Sequence, residues 1–131
     1  MAKYAYPAIF TKEDNAYSVI FPDISGCVTS GDSKADAIEM AEDALGLLLC
    51  EFEDDKSDIP EPSEPKDIDV DENSFVTLIA CDTIEYRKTY DNKAVKKTLM
   101  IPNWLNTKSE RAGLNFSQIL QEALISKLNI N

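Results

Sequence analysis

The sequence predicts an α+β protein of two units: residues 1–86 as three strands, a helix and a fourth strand, and residues 94–131 as one strand followed by two helices, with 87–93 as the linker. Three observations carry this. Short aromatic and β-branched runs at the start of the chain precede a long amphipathic helix. A proline- and acid-rich loop then leads back into an apolar strand. The last stretch, AVKKTLMIPNWLNTKSERAGLNFSQILQEALISKL over 94–128, passes from alternation with period two to apolar spacings of three and four residues.

Residues 4–11 (YAYPAIFT) and 16–21 (AYSVIF) are strand-like runs separated by the polar turn 12–15, a hairpin pattern. Pro22 and Asp23 break the second strand. Gly26, Cys27, Val28 and Thr29 begin a third before Ser30, Gly31 and Asp32 turn the chain. Ser33, three residues before Asp36, opens a helix as a capping-box variant. Ile38, Ala41, Leu45, Leu48 and Phe52 share one face of it, while Asp36, Glu39, Asp43 and Glu51 lie largely elsewhere. A helix of that kind covers one side of an antiparallel sheet. Residues 54–73, acidic and carrying Pro60, Pro62 and Pro65, have the composition of a linker. The fully apolar run 75–82 (FVTLIACD) nevertheless belongs to the sheet of the first unit, so the loop is a crossover inside it.

In the C-terminal unit Val95, Lys97, Leu99 and Ile101 point to one side of the strand, and Lys96, Thr98 and Met100 to the other. Pro102 ends the strand and suits the first turn of a helix buried through Trp104, Leu105 and Ala112. Gly113 supplies a helix C-terminus, and Asn115 caps a second helix with Phe116, Ile119, Leu120, Ala123, Leu124 and Leu128 on one apolar face. One strand and two helices of this size cannot close a core. The face is therefore expected to bury against a second copy, the strands pairing as a two-stranded ribbon, through Val95, Leu99, Ile101, Trp104, Ile119, Leu120 and Leu124.

The formal charge of −11 over 131 residues is unevenly distributed. Residues 1–75 hold 5 Lys and Arg against 19 Asp and Glu, and residues 76–131 hold 8 against 5, so the first part is strongly acidic and the second mildly basic. The C-terminal part can approach phosphate, which would repel the N-terminal part. Two partners are implied: DNA at the C-terminal end, and something basic, a protein, at the other. Cys27, Cys50 and Cys81 are odd in number, far apart and set among apolar residues, reading as reduced core thiols of a cytoplasmic protein. Signal-peptide, lipidation and membrane-length apolar patterns are missing, so a soluble protein without a membrane partner is expected.

The strand, proline, helix, glycine, helix order of 94–128 resembles the ribbon-helix-helix DNA-binding fold, in which the paired strands of a dimer enter the major groove. The resemblance implies that Lys96, Thr98 and Met100 face DNA, and that the free amides of Asn115, Phe116 and Ser117 hold a phosphate. Met100 departs from the usual polar pattern and offers apolar contact, as to a thymine methyl. The alternative is a helical hairpin used only to dimerise.

A second resemblance spans more of the chain. FPDISGCVTSGDSKADAIEMAEDALGLLL over 21–49 is similar to the HicB antitoxin pattern of a strand ending in Pro-Asp, a glycine turn, a Gly-Asp and an Ala- and Glu-rich helix. IPEPSEP over 59–65 resembles the proline loop that follows it, and IPNWLN and NFSQILQEAL resemble the C-terminal module of the same family. The family implies a partial RNase H-like N-terminal domain that binds and masks HicA, a small basic toxin that cleaves RNA. It also implies a C-terminal module that represses the pair's own promoter. Toxin contact is then expected at Asp23, Gly26, Cys27, Gly31 and Asp32.

An RNase H resemblance invites a metal-dependent nuclease, with Asp14, Asp23, Asp32 and Asp82 as the acids nearest strand ends. Asp23 and Asp32 have a simpler use in turns. The chain has no histidine, and no Ser or Cys has an activating partner. The sequence is thus read as a non-enzymatic antitoxin and autorepressor with no cofactor and no metal, binding a HicA-type toxin and operator DNA as a homodimer, with tetramer formation open. The alternative is a ribbon-helix-helix repressor whose acidic domain senses a ligand or sets oligomeric state; a nuclease is a third reading.

Overall fold

The computed structural model describes residues 2–130. Four strands, β1 (Lys3–Glu13), β2 (Ala16–Ile20), β3 (Val28–Gly31) and β4 (Ser74–Asp82), form one sheet in the order β3-β2-β1-β4. Every neighbouring pair is antiparallel. β1 and β2 meet at a two-residue turn, Glu13 opposite Ala16. Asp14 in that turn takes φ +48°, the left-handed conformation that such hairpins require and that Asp tolerates. β4 returns beside β1 in register from Lys3 opposite Asp82 to Thr11 opposite Ser74.

One helix, α1 (Lys34–Asp54), covers one sheet face. Ser33 caps it, its hydroxyl accepting from Asp36 N at 3.1 Å. Its buried row is Ala37, Ala41, Leu45 and Leu49, each four residues from the last. This row meets Tyr6, Ala8 and Phe10 of β1, Val19 of β2 and Ile79 and Cys81 of β4, with Phe21, Ile24 and Cys27 closing the end of the core. The expected stripe was rotated slightly: Ile38 is 38% exposed, while Ala41 and Leu45 are buried and Leu48 and Phe52 pack at the margin. Small residues in the first turns decide this. A Cβ on buried Gly31 would strike the backbone of Ala37, so β3 and α1 approach as closely as backbones allow.

The crossover 55–73 is pinned to the core. Tyr6 donates its hydroxyl hydrogen to Pro60 O, and Ser63 donates from N (2.9 Å) and Oγ (2.5 Å) to Asp23. A single 3-10 turn, Pro65–Asp67, follows.

Residues 87–93 were expected as the linker, but Thr83–Tyr90 form a helix, α2. Asp82 caps it, Oδ1 accepting from Ile84 N (3.0 Å) and Glu85 N (3.3 Å). Arg87 then donates to Glu53, Asp54 and Cys50 O on α1, which holds the expected linker's first residues against the core. The chain divides into two compact units, Met1–Lys93 and Ala94–Asn131.

In the second unit, residues 94–102 carry neither helix nor strand. The expected strand over 95–101 is not formed, for a physical reason: a strand needs a neighbour for its N–H and C=O groups, and one copy of this unit offers none. Helices α3 (Asn103–Arg111) and α4 (Phe116–Leu128) follow. Pro102 stands at the N-cap of α3, its carbonyl accepting from Leu105 N and Asn106 N. At the other end Gly113 (φ +67°) lets Gly113 N reach Glu110 O (3.0 Å) and Leu114 N reach Ser109 O (3.2 Å), a Schellman ending. Neither α3 nor α4 has a buried residue.

Candidate functional site

The turn between β2 and β3 gathers three of the five residues expected to meet a protein partner, Asp23, Gly26 and Cys27; Gly31 ends β3 and Asp32 follows directly after it. Gly26 and Asp32 are exposed, and Asp23 is half-buried and engaged by Ser63. Cys27 and Gly31 are buried. Gly26 takes φ +79°, which lets Cys27 N bond Ile24 O while Phe21 N bonds Cys27 O. Burial pushes the Cys27 and Cys81 thiols up to about 11 and raises that of Cys50, so all three are protonated at neutral pH.

The acids considered for metal chemistry are not brought together. Asp14 turns the hairpin, Asp23 anchors Ser63, and Asp82 caps α2. The backbone N of Asp32 is bonded by Asp36. Among the described residues no three His, Cys, Asp or Glu side chains converge as a metal site.

Sequence reasoning missed the carboxylate that fastens this unit. The Glu53 side chain, at the end of α1, is 8% exposed. Its Oε2 accepts from the Tyr4 hydroxyl (3.0 Å) and from Thr83 Oγ1 (2.9 Å), and its Oε1 accepts from Arg87 Nη2 (3.1 Å). Burial alone would raise its pKa, but the hydrogen bonds donated to it, among them those of Thr83, Arg87 and Tyr4, hold it below the ordinary carboxylate value. Thr83, fully buried, also accepts from Ala2 N at 2.9 Å. The node ties the start of β1, the end of α1 and α2 together. The signal for α2 was present in the sequence as Asp82 and Glu85 at capping-box spacing, before Lys and Arg near a helix end.

α2 also leans on α1 through Tyr86, whose ring occupies the space a Cβ on Gly46 would take. Between α1, the end of β4 and α2 runs a groove of about 310 Å³.

In the second unit, Lys97, Leu99 and Ile101 line one side of an apolar groove of about 520 Å³, with Phe116, Ile119, Leu120 and Ala123 of α4 along the other. Lys96, Thr98 and Met100 do not line it, nor does Val95. Met100 is 96% and Val95 80% exposed. Trp104, Ile119 and Leu124 are exposed as well. Asn115 caps α4, its Oδ1 accepting from Gln118 N at 3.0 Å, and Asn115, Phe116 and Ser117 are all exposed.

Residues 6–123 match a family model described as the HicB-like antitoxin of bacterial toxin-antitoxin systems. Antitoxin HicB 2 of Photorhabdus laumondii subsp. laumondii is 38% identical over 58 residues, 44% of this chain. The match spans less than half of that relative, 42% of its length. Among solved structures, a chain of a toxin-antitoxin complex from Streptococcus pneumoniae is 28% identical over 95% of this chain and 99% of its own, with a TM-score of 0.63. A chain of the HicA3 and HicB3 toxin-antitoxin complex is 25% identical over 60% of this chain and 99% of its own, with a TM-score of 0.51.

Proposed function

The chain belongs to the HicB-like antitoxin family of bacterial toxin-antitoxin systems, and we propose that it neutralises a HicA-type toxin through its first unit while its second unit dimerises and represses its own operon. The single observation behind this division of labour is the contrast between the units. Residues 1–93 hold 8 Lys and Arg against 22 Asp and Glu around a closed core, whereas residues 94–131 hold 5 against 2 and bury nothing in α3 or α4. An acidic, self-sufficient domain suits a basic protein partner, and the HicA3 and HicB3 complex is a precedent among relatives. A basic unit with an uncovered apolar face suits a homodimer on DNA.

On this reading the first unit is a partial RNase H-like scaffold that serves as a binding surface. Gly26 and Asp32, with Asp23 behind them, offer one part of the toxin-facing surface. None of its described helices is long and apolar enough to cross a membrane. In the second unit the segment 95–101 pairs with its copy as the ribbon of a ribbon-helix-helix dimer. Leu99, Ile101, Ile119, Leu120 and Leu124 bury against the partner, with Val95 and Trp104 at the margin. Lys96, Thr98 and Met100 then face the major groove, and the amides of Asn115, Phe116 and Ser117 meet a phosphate. Ile20, Val28 and Leu78 are exposed on strands of the sheet, and a tetramer would form by two dimers meeting there.

The test is a chain ending at Asn92, compared with the full chain by light scattering, toxin binding and operator binding. The shortened chain is expected to lose the association made through the second unit, to keep the toxin and to lose DNA. A shortened chain that still dimerised and repressed would refute the placement of both functions in the second unit.

A further inference from the structure

We propose that the groove between α1 and α2 is a docking site for a Lys- or Arg-bearing segment of the toxin, a step that rests on the toxin-binding reading above. The groove has the two features that a protein cation needs, an aromatic surface and uncompensated negative charge. Tyr86 and Tyr90 form its wall, their ring centroids 4.5 Å apart and tilted by 37°, and Tyr90 is 65% exposed. An ammonium or guanidinium over such a ring is attracted by its quadrupole.

Around the rings stand Glu39, Glu42, Asp43 and Glu85, and no Lys or Arg lines the groove. Asp43 accepts from the Tyr86 hydroxyl at 3.4 Å, and Glu85 is paired with Lys88 at 3.0 Å. Glu39 and Glu42, one turn apart on α1, are exposed. A metal ion is a poor occupant, because no three ligating side chains converge among the described residues. A cationic side chain fits, its alkyl stem against the rings and its head between the carboxylates. The charge of the whole unit selects a protein that brings such side chains and repels another acidic unit. This surface lies on α1 and α2 and adds to the exposed turn residues; it was not among the sequence expectations.

The test uses the full chain and a separately purified HicA-type toxin, with affinity measured at several salt concentrations. Glu39→Gln with Glu42→Gln should weaken binding about tenfold or more and flatten its salt dependence. The charge-matched control Asp69→Asn with Glu72→Gln, on the exposed crossover, should cost less than about threefold. Tyr90→Ala should weaken binding about fivefold or more, and Tyr90→Phe should restore it because the ring face is kept. All these positions are exposed, and circular dichroism checks the fold. Groove variants within about threefold of the wild type, or a control pair that loses as much as the groove pair, would overturn the inference while leaving toxin binding in place. A wild-type chain that does not bind the toxin would sink the functional reading and this inference together.

Discussion

Replacing Glu53 by Gln tests how the first unit is held together. Glu53 receives the Tyr4 and Thr83 hydroxyls on one oxygen and Arg87 on the other, with its side chain 8% exposed. Each charge-assisted bond contributes about 1.5–3 kcal/mol net. An amide keeps the shape and one acceptor, but its NH2 must face donors. Arg87 retains Asp54 at 3.0 Å and Cys50 O at 3.2 Å, so part of its share survives. The expected cost at neutral pH is therefore about 2–3 kcal/mol, read from urea unfolding followed by far-ultraviolet circular dichroism. The sign with pH is fixed. The Glu53 pKa is lowered in the folded chain, so its contribution is complete above the ordinary value of 4.5 and is lost as pH falls through the lower folded value. The gap between wild type and variant should narrow as pH drops below that value. A variant within about 0.5 kcal/mol of wild type at pH 7, or a gap that does not change with pH, would refute the account of this node.

Three further outcomes follow from other parts of the chain. Gly46→Ala should displace Tyr86 and undock α2, speeding hydrogen exchange over Thr83–Tyr90 while β1 remains protected. Leu120→Asp places a charge in the apolar groove of the second unit, and should convert a dimer into a monomer in light scattering without changing the melting of the first unit. Lys96→Ala with Thr98→Ala should weaken operator binding about tenfold or more and reduce its salt dependence, with toxin binding unchanged; loss of both activities would argue against separable units.

How much was legible depended on where the controlling contact lies. β1, β2, β4 and α1 are signalled locally, by β-branched and aromatic runs and by a capped amphipathic helix, and the structure holds them within a few residues of the expected bounds. The helices α3 and α4 were equally legible because Pro102, Gly113 and Asn115 punctuate them. α2 was hidden because its polar sequence lacks an apolar stripe. Its stability comes from Arg87 and Tyr86 reaching residues 34 and 40 positions earlier, Glu53 and Gly46. The inward face of α1 matches the expected one at Ala41 and Leu45 and differs at its ends, where Ala37 and Leu49 are buried in place of Ile38 and Leu48. The strand over 95–101 shows the opposite case. Its alternation is plain in the sequence, yet a single copy supplies nothing to pair with it. Of the expected toxin-facing residues, Cys27 and Gly31 are buried, a property set by tertiary packing that a local pattern does not display.

The most direct test of the central claim is growth of cells that express a HicA-type toxin, alone, with this chain, and with its Lys96→Ala, Thr98→Ala variant. The account predicts arrest by the toxin alone, full recovery with the chain, and equal recovery with the variant, together with a stoichiometric complex on purification. A chain that neither binds the toxin nor restores growth would contradict it.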